Sequence, residues 1–210
     1  MSVTSAKPDP TTVALFGTSA DPPSLGHRAL LAGLARHYPL VVTWASTNPY
    51  KRHGAPLAMR TALLQALVDG LSNPHLLLDQ GLSSTRAIES LAAARRRWPE
   101  AELVFVVGSD LVDQIPSWFD AAGILASCRL AVVPRQGWPL GPEQLETLKR
   151  LGASIELLQL EIPATASSAF RLQPDPALIP PELWPVLLQH DLYGLAGAAP
   201  SGGAAGRPRR

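Results

Sequence analysis

Six short polar stretches hold most of the residues in this chain that could do chemistry. They read GTSADPPSLGH (17–27), STNPYKRHG (46–54), QGLSST (80–85), GSDLVDQIPSW (108–118), RQGWPLG (135–141) and PATASSAFR (163–171). The first is the richest. Gly17 closes an apolar run, and a missing side chain there lets an anion approach the backbone. Pro22-Pro23 enforces an extended turn, because the residue before a proline avoids the helical region. Ser24 is a good helix N-cap, which puts Gly26 and His27 in the first helical turn. A helix N-terminus offers free N–H groups and the positive end of a dipole, a ready phosphate site. His27 there could donate to a phosphate oxygen. An isolated histidine in a turn reads as a surface group; in this loop the phosphate reading is favoured.

These stretches need a frame that brings them together. Short apolar runs alternate along the chain with longer segments of helical periodicity. The runs are Val13–Gly17, Leu40–Ala45, His75–Asp79, Leu103–Gly108, Leu130–Pro134 and Ile155–Glu161. Continuous Val/Leu stretches bounded by Gly, Pro or Asp read as strands buried on both faces. Helices are expected over Arg28–His37, Leu57–Leu71, Arg86–Trp98, Ser117–Ala126 and Pro142–Leu151. Such alternation predicts βαβ units: an α/β, Rossmann-like open parallel sheet of about six strands with helices on both faces and a C-terminal helix. Ligands bind such sheets outside the C-terminal strand ends, where all six polar stretches fall.

Composition narrows the function classes. The 210 residues suit one domain, and 46 % hydrophobic content rules out disorder of the body. Residues 1–11 and 196–210 read as flexible tails, the second rich in Gly, Pro and Arg, around a 12–195 domain. A formal net charge of +1 gives no electrostatic footprint for nucleic acid. The one cysteine, Cys128, excludes a disulfide framework and a Cys-rich zinc module; it reads as a small core residue. No apolar run reaches membrane-spanning length, and Met1–Thr12 has no apolar signal core. A cytoplasmic protein is expected, with oligomeric state left open. P-loop, G-x-G-x-x-G and G-x-S-x-G motifs are absent.

GTSADPPSLGH resembles the GGTFDPPHxGH signature of nicotinate-nucleotide adenylyltransferases, within the nucleotidyltransferases that carry HxGH. FVVGSDLVDQIPSW is similar to that family's G-x-D segment ending in tryptophan, and LAVVPRQGW to its strand plus R-x-G. ATASSAFR is similar to its SSTxxR motif, and LIPPELWPVLLQHDLYGL to its C-terminal helix and LY ending. Five motifs run in order over residues 13–195. The resemblance implies transfer of the adenylyl group of ATP to nicotinate mononucleotide, giving deamido-NAD and pyrophosphate, with Mg2+ bridging the ATP phosphates.

Roles follow residue by residue from the resemblance. Gly17, Thr18 and Ser19 would line the phosphates, Gly26 would let ATP approach, and His27 would hold the phosphates in the transition state. Lys51 would neutralise a phosphate; the other two lysines fall in a tail and on a helix surface. Gly108 and Asp110 would meet ribose hydroxyls, with helix capping as the rival role for Asp110. Trp118 would stack on the pyridine ring, or be core. Ser167, Ser168 and Arg171 would bind ATP phosphates, and Arg135 would bind the acceptor substrate or pair only with a surface carboxylate. The chain departs from the pattern at Ser24, where the family has the first histidine of HxGH, and at Ala166, the first serine of SSTxxR. A serine there still donates a hydrogen bond, so Ser24 is assigned to ATP. Arg86 stands where the family has a Tyr-Thr pair near the nicotinate carboxylate, and would serve as its charged partner or lie on a helix surface. Two alternatives stay open: a transferase for another phosphate acceptor, or a degenerate nucleotide binder.

Overall fold

Six strands form one parallel sheet in the order β3-β2-β1-β4-β5-β6. The computed structural model describes residues 9–47, 51–165 and 167–198. Residues 1–8 and 199–210 of the expected tails lie outside that description. The strands are β1 (Thr12–Thr18), β2 (Leu40–Ala45), β3 (Leu76–Leu78), β4 (Glu102–Gly108), β5 (Arg129–Val133) and β6 (Ser154–Leu157). The connecting helices are α1 (Leu25–His37), α2 (Leu57–Leu71), α3 (Ala87–Arg97), α4 (Ala121–Ser127) and α5 (Pro142–Arg150), followed by α6 (Ser167–Leu172) and α7 (Trp184–Gln189). Among the described residues no helix is long and apolar enough to cross a membrane.

Strand residues alternate between two cores, as the period of 2 demands. Ala14, Phe16, Val41, Val104, Val106, Ala131 and Val133 face a layer that holds Leu31 and Leu34 of α1, Leu63, Leu64 and Leu67 of α2, and Leu187 of α7. Val13, Leu15, Val42, Trp44, Phe105, Val107 and Val132 face the other layer, with Leu91 of α3, Ile124 of α4 and Leu148 of α5. The strand order switches sides between β1 and β4, which are parallel neighbours. That is the switch point where such sheets open a crevice.

Two expected elements differ, each for a physical reason. The helix expected over Ser117–Ala126 is split. Ser109–Ser117 winds as a 3-10 helix with Pro116 inside it, and proline removes an N–H donor that an α-helix needs. The α-helix begins only at Ala121, where the Asp120 carboxylate accepts from the Gly123 N–H. The strand expected over Ile155–Glu161 ends at Leu157. Beyond it the apolar residues change sides: Leu158, Leu160 and Ile162 pack into the layer of α1 and α2. Leu160 lies so close to α1 that a Cβ added at Gly33 would sit 3.1 Å from it. This crossing delivers residues 163–165 to the start of α1.

Cys128 ends α4 half-buried beside the second core, and burial pushes its thiol up to about 11. Gly17 is needed for packing: an added Cβ would lie 2.7–2.8 Å from the indole of Trp44 on β2. Gly17→Ala is expected to lower stability by about 1–3 kcal/mol, as overpacked cores do. The loss should shrink in a Trp44→Val background. Urea unfolding of the two pairs checks it.

Candidate active site

The loop after β1 is built from inside out. Thr18, Asp21 and Ser24 are all buried, so each must find partners within the protein. His27 sits at the third position of α1 and reaches back to the cap. Its Nδ1 accepts from the Ser24 backbone N–H at 3.1 Å, the place a Glu or Gln takes in a capping box. A backbone N–H can only donate. Nδ1 is therefore unprotonated, and Nε2 carries the hydrogen. Nε2 lies 2.9 Å from Thr18 Oγ1 and donates to it. Burial first, and then the charge of Arg135, push this imidazole down to about 4. His27 is thus a neutral donor with its N–H aimed at the end of β1.

Ser24 does not face the crevice. It is fully buried. Its Oγ lies 3.0 Å from His27 Nδ1 and 3.0 Å from the Thr165 carbonyl oxygen. The Gly26 N–H, a free donor in an isolated helix, donates to Thr165 Oγ1 at 2.7 Å. A Cβ added at Gly26 would stand 3.1 Å from both the Pro163 carbonyl and Thr165 Oγ1. The close approach that requires this glycine is that of the 163–165 segment.

A second set of contacts gathers on Asp21, whose side chain is 3 % exposed. Its Oδ2 accepts from the Gly54 N–H at 2.8 Å, and its Oδ1 from the Ala55 N–H at 3.1 Å and the Tyr193 hydroxyl at 2.8 Å. Arg171 Nη1 donates to the Asp21 backbone carbonyl and lies 3.5 Å from Oδ2. His53 Nδ1 lies 3.6 Å from Oδ2. Arg60 of α2 is also buried. Its guanidinium donates to three carbonyl oxygens, of Ser19 at 2.6 Å, Ser46 at 3.0 Å and Ala55 at 3.2 Å. Burial lowers its pKa, while Asp21 and Tyr193 act against that. The loops after β1 and β2 are thereby held at fixed spacing over a buried positive charge.

The third side comes from β4 and β5. Among the described residues Asp110 caps no backbone group; its Oδ2 accepts from Arg135 Nη1 at 2.9 Å. Gly108 leaves room for this, since an added Cβ would collide with the Asp110 carboxylate. Ser109 Oγ donates to the Trp138 carbonyl and accepts from the Arg135 N–H, each at 2.8 Å, which fixes the Arg135 hairpin. Trp118 is half-buried and meets the Phe105 ring edge-on, with centroids 6.3 Å apart. Arg86 lies 4.2 Å over the ring of Phe119, the next residue, and 3.7 Å from Glu89.

The expected site residues therefore converge, with some changes of part. His27, Thr18, Arg135 and Asp110 meet at the ends of β1, β4 and β5, and Arg171 joins them through Asp21. Ser167 Oγ donates to the Pro22 carbonyl at 2.8 Å and Ser168 is exposed. The Ser19 carbonyl belongs to Arg60. Lys51 is exposed; Ala166 lies outside the described residues. Asp21, Arg60, Thr165 and Tyr193 were not singled out by sequence reasoning. Asp21 stands inside the quoted signature, and Tyr193 inside the LY ending; Arg60 and Thr165 carry no local signal. Among the described residues no group of three His, Cys, Asp or Glu could hold a metal ion.

Comparison with known proteins bears on the family and the fold. Residues 15–173 match the cytidylyltransferase-like family model. A Synechocystis protein named "Probable nicotinate-nucleotide adenylyltransferase" is 36 % identical over 196 residues, covering 86 % of this chain and 98 % of its own. One of the same name from Gemmatimonas aurantiaca is 32 % identical over 154 residues, 69 % of this chain and 72 % of its own. The nicotinic acid mononucleotide adenylyltransferase of Plasmodium falciparum, solved in complex with NaAD, shares the fold with a TM-score of 0.73 at 17 % identity, over 88 % of this chain and 98 % of that one. With the family model matched over residues 15–173 and the Synechocystis relative matched over 98 % of its length at 36 % identity, the chain belongs to the nicotinate-nucleotide adenylyltransferases of the cytidylyltransferase-like family.

Proposed function

We propose that this enzyme joins ATP to nicotinate mononucleotide by one in-line displacement at the β1/β4 crevice. A phosphate oxygen of the mononucleotide attacks the α-phosphorus of ATP. The bond from that phosphorus to the β-phosphate oxygen breaks, pyrophosphate leaves, and deamido-NAD forms. The nucleophile is already anionic, so no general base is required. Catalysis of this kind is positioning plus electrostatic stabilisation.

The observation that carries the reading is the fixed, neutral Nε2–H of His27. In the free protein it donates to Thr18 Oγ1; with ATP bound it donates to a phosphate oxygen whose charge grows in the transition state. A neutral donor supplies this bond without giving up a proton. Arg171 and Lys51 supply the cationic charge for the leaving phosphates, and Arg135, held by Asp110, flanks the same point. Gly17 and Thr18 offer the end of β1 to the phosphates, and Gly108 with Asp110 the ribose side. Ser19 and Ser24 act at one remove: Arg60 orients Ser19, and Ser24 holds the His27 tautomer. Trp118, resting on Phe105, presents its remaining face to the pyridine ring. Arg86 stands beside it as the charged partner of the nicotinate carboxylate.

Mg2+ fits this donor set as an ion carried by the substrate. The Asp21 carboxylate is occupied by protein donors, and the nearby side chains are mostly cationic, so phosphate oxygens and water would be the ligands. The ion would neutralise polyphosphate charge when bound.

Pyrophosphate release with ATP and Mg2+ should favour nicotinate over nicotinamide mononucleotide by at least about tenfold in kcat/KM, as a charged carboxylate contact implies. Equal use of the two would remove Arg86 from the acceptor site, and no release with either would overturn the reaction. His27→Ala should lower kcat by about 10²–10³-fold, the cost of one preorganised donor. By NMR of labelled histidine, one imidazole should titrate at about 4 and vanish in His27→Ala. From the ordinary value of about 6.5 down to 4 the unfolded chain takes up this proton and the folded chain does not. Stability supplied by His27 is therefore complete above that window and falls as pH drops through it.

A further inference from the structure

The C-terminal turn Leu192–Ala198 reaches the site through one atom. Tyr193 has a φ of +62° and is followed by Gly194 at +73°, a double left-handed bend that throws the side chain back toward the β1 loop. The ring meets Phe170 of α6 edge-on at 5.9 Å. It also lies over Gly54, where an added Cβ would stand 2.9 Å from Tyr193 Cε1 and 2.9 Å from Arg171 Cδ. Its hydroxyl ends 2.8 Å from Asp21 Oδ1.

A buried carboxylate must have its lone pairs satisfied. In Asp21, Oδ1 is taken by Ala55 N–H and the Tyr193 hydroxyl, and Oδ2 by Gly54 N–H. Arg171 is left with the backbone carbonyl and a long 3.5 Å approach to Oδ2, its side chain still 33 % exposed. Without the phenol, Oδ1 would keep only the Ala55 N–H and would have a lone pair open to the neighbouring guanidinium. Arginine forms short bidentate pairs with carboxylates when both oxygens are open to it, and Arg171 would then be drawn inward, away from any ligand. Burial and the Asp21 contact both raise the Tyr193 pKa, so the hydroxyl stays protonated and donating.

We propose that Tyr193 is a positioning residue for adenylyl transfer: by occupying Asp21 it keeps Arg171 directed at the ATP phosphates. This rests on the assignment of Arg171 to those phosphates. Tyr193→Phe keeps the ring, the bend and the Phe170 contact while deleting the bond. It is expected to raise KM for ATP about tenfold, the scale of one charge-assisted hydrogen bond, and to leave KM for the mononucleotide unchanged. Tm should fall by no more than about 4 °C. In an Arg171→Ala background the same substitution should cause no further loss in kcat/KM for ATP. A loss that multiplies on Arg171→Ala, or a fall in kcat with KM for ATP unchanged, overturns the proposal and leaves the Arg171 assignment standing. If Arg171→Ala alone leaves kcat/KM for ATP unchanged, the assignment falls and the proposal with it.

Discussion

The constraint on which this site depends is the need to satisfy one buried carboxylate. Asp21 is sealed from water and carries charge, so it must be surrounded by donors. The groups around it come from three places in the chain: the loop after β2 and the C-terminal turn, which donate to the carboxylate, and α6, whose Arg171 donates to the Asp21 backbone carbonyl and lies 3.5 Å from Oδ2. Satisfying Asp21 therefore assembles the crevice. Segments separated by more than 170 positions (Asp21 and Tyr193) meet because a single acid cannot remain buried otherwise. Arg60 plays the complementary part as a buried cation answered by three carbonyl oxygens. Between them these two groups tie the loops after β1 and β2 together.

The serine in place of a signature histidine acquires a physical meaning within this frame. Ser24 is enclosed, and its hydroxyl stands between the His27 ring and the Thr165 carbonyl. Its backbone N–H decides which imidazole nitrogen is bare. The crossing segment 158–165 then closes the start of α1, with Thr165 on the Gly26 N–H. One imidazole remains at the crevice, neutral and held in one tautomer. Such preorganisation is what electrostatic catalysis needs, because the donor does not have to reorient as charge develops.

Much of this was legible from residue order. Continuous Val/Leu runs divided by helical segments can form little other than a parallel sheet, and β1 through β5 fall where those runs lie. The loop after β1 announced itself through Pro22-Pro23, Ser24 and His27, since capping and turn chemistry are local. The early end of β6 was not legible: Ile155–Glu161 has strand-like residues throughout, and only packing against α1 turns Leu158 and Leu160 away from the sheet. The 3-10 segment before Trp118 was likewise hidden, although Pro116 was its cause.

The sequence by itself determined the kind of fold and gathered the polar loops at one edge of the sheet, because periodicity, caps and turn chemistry act over a few residues; the reaction class came from the resemblance of its motifs to a known family. Tertiary structure alone decided what crowds Gly17, Gly26 and Gly54: Trp44, the 163–165 segment, and Arg171 with Tyr193 press against them. It decided that Asp110 pairs with Arg135 instead of capping a helix, and that Asp21, Arg60, Thr165 and Tyr193 belong to the site. Burial and hydrogen-bond satisfaction depend on which distant atoms arrive at a point, and no local pattern encodes that arrival.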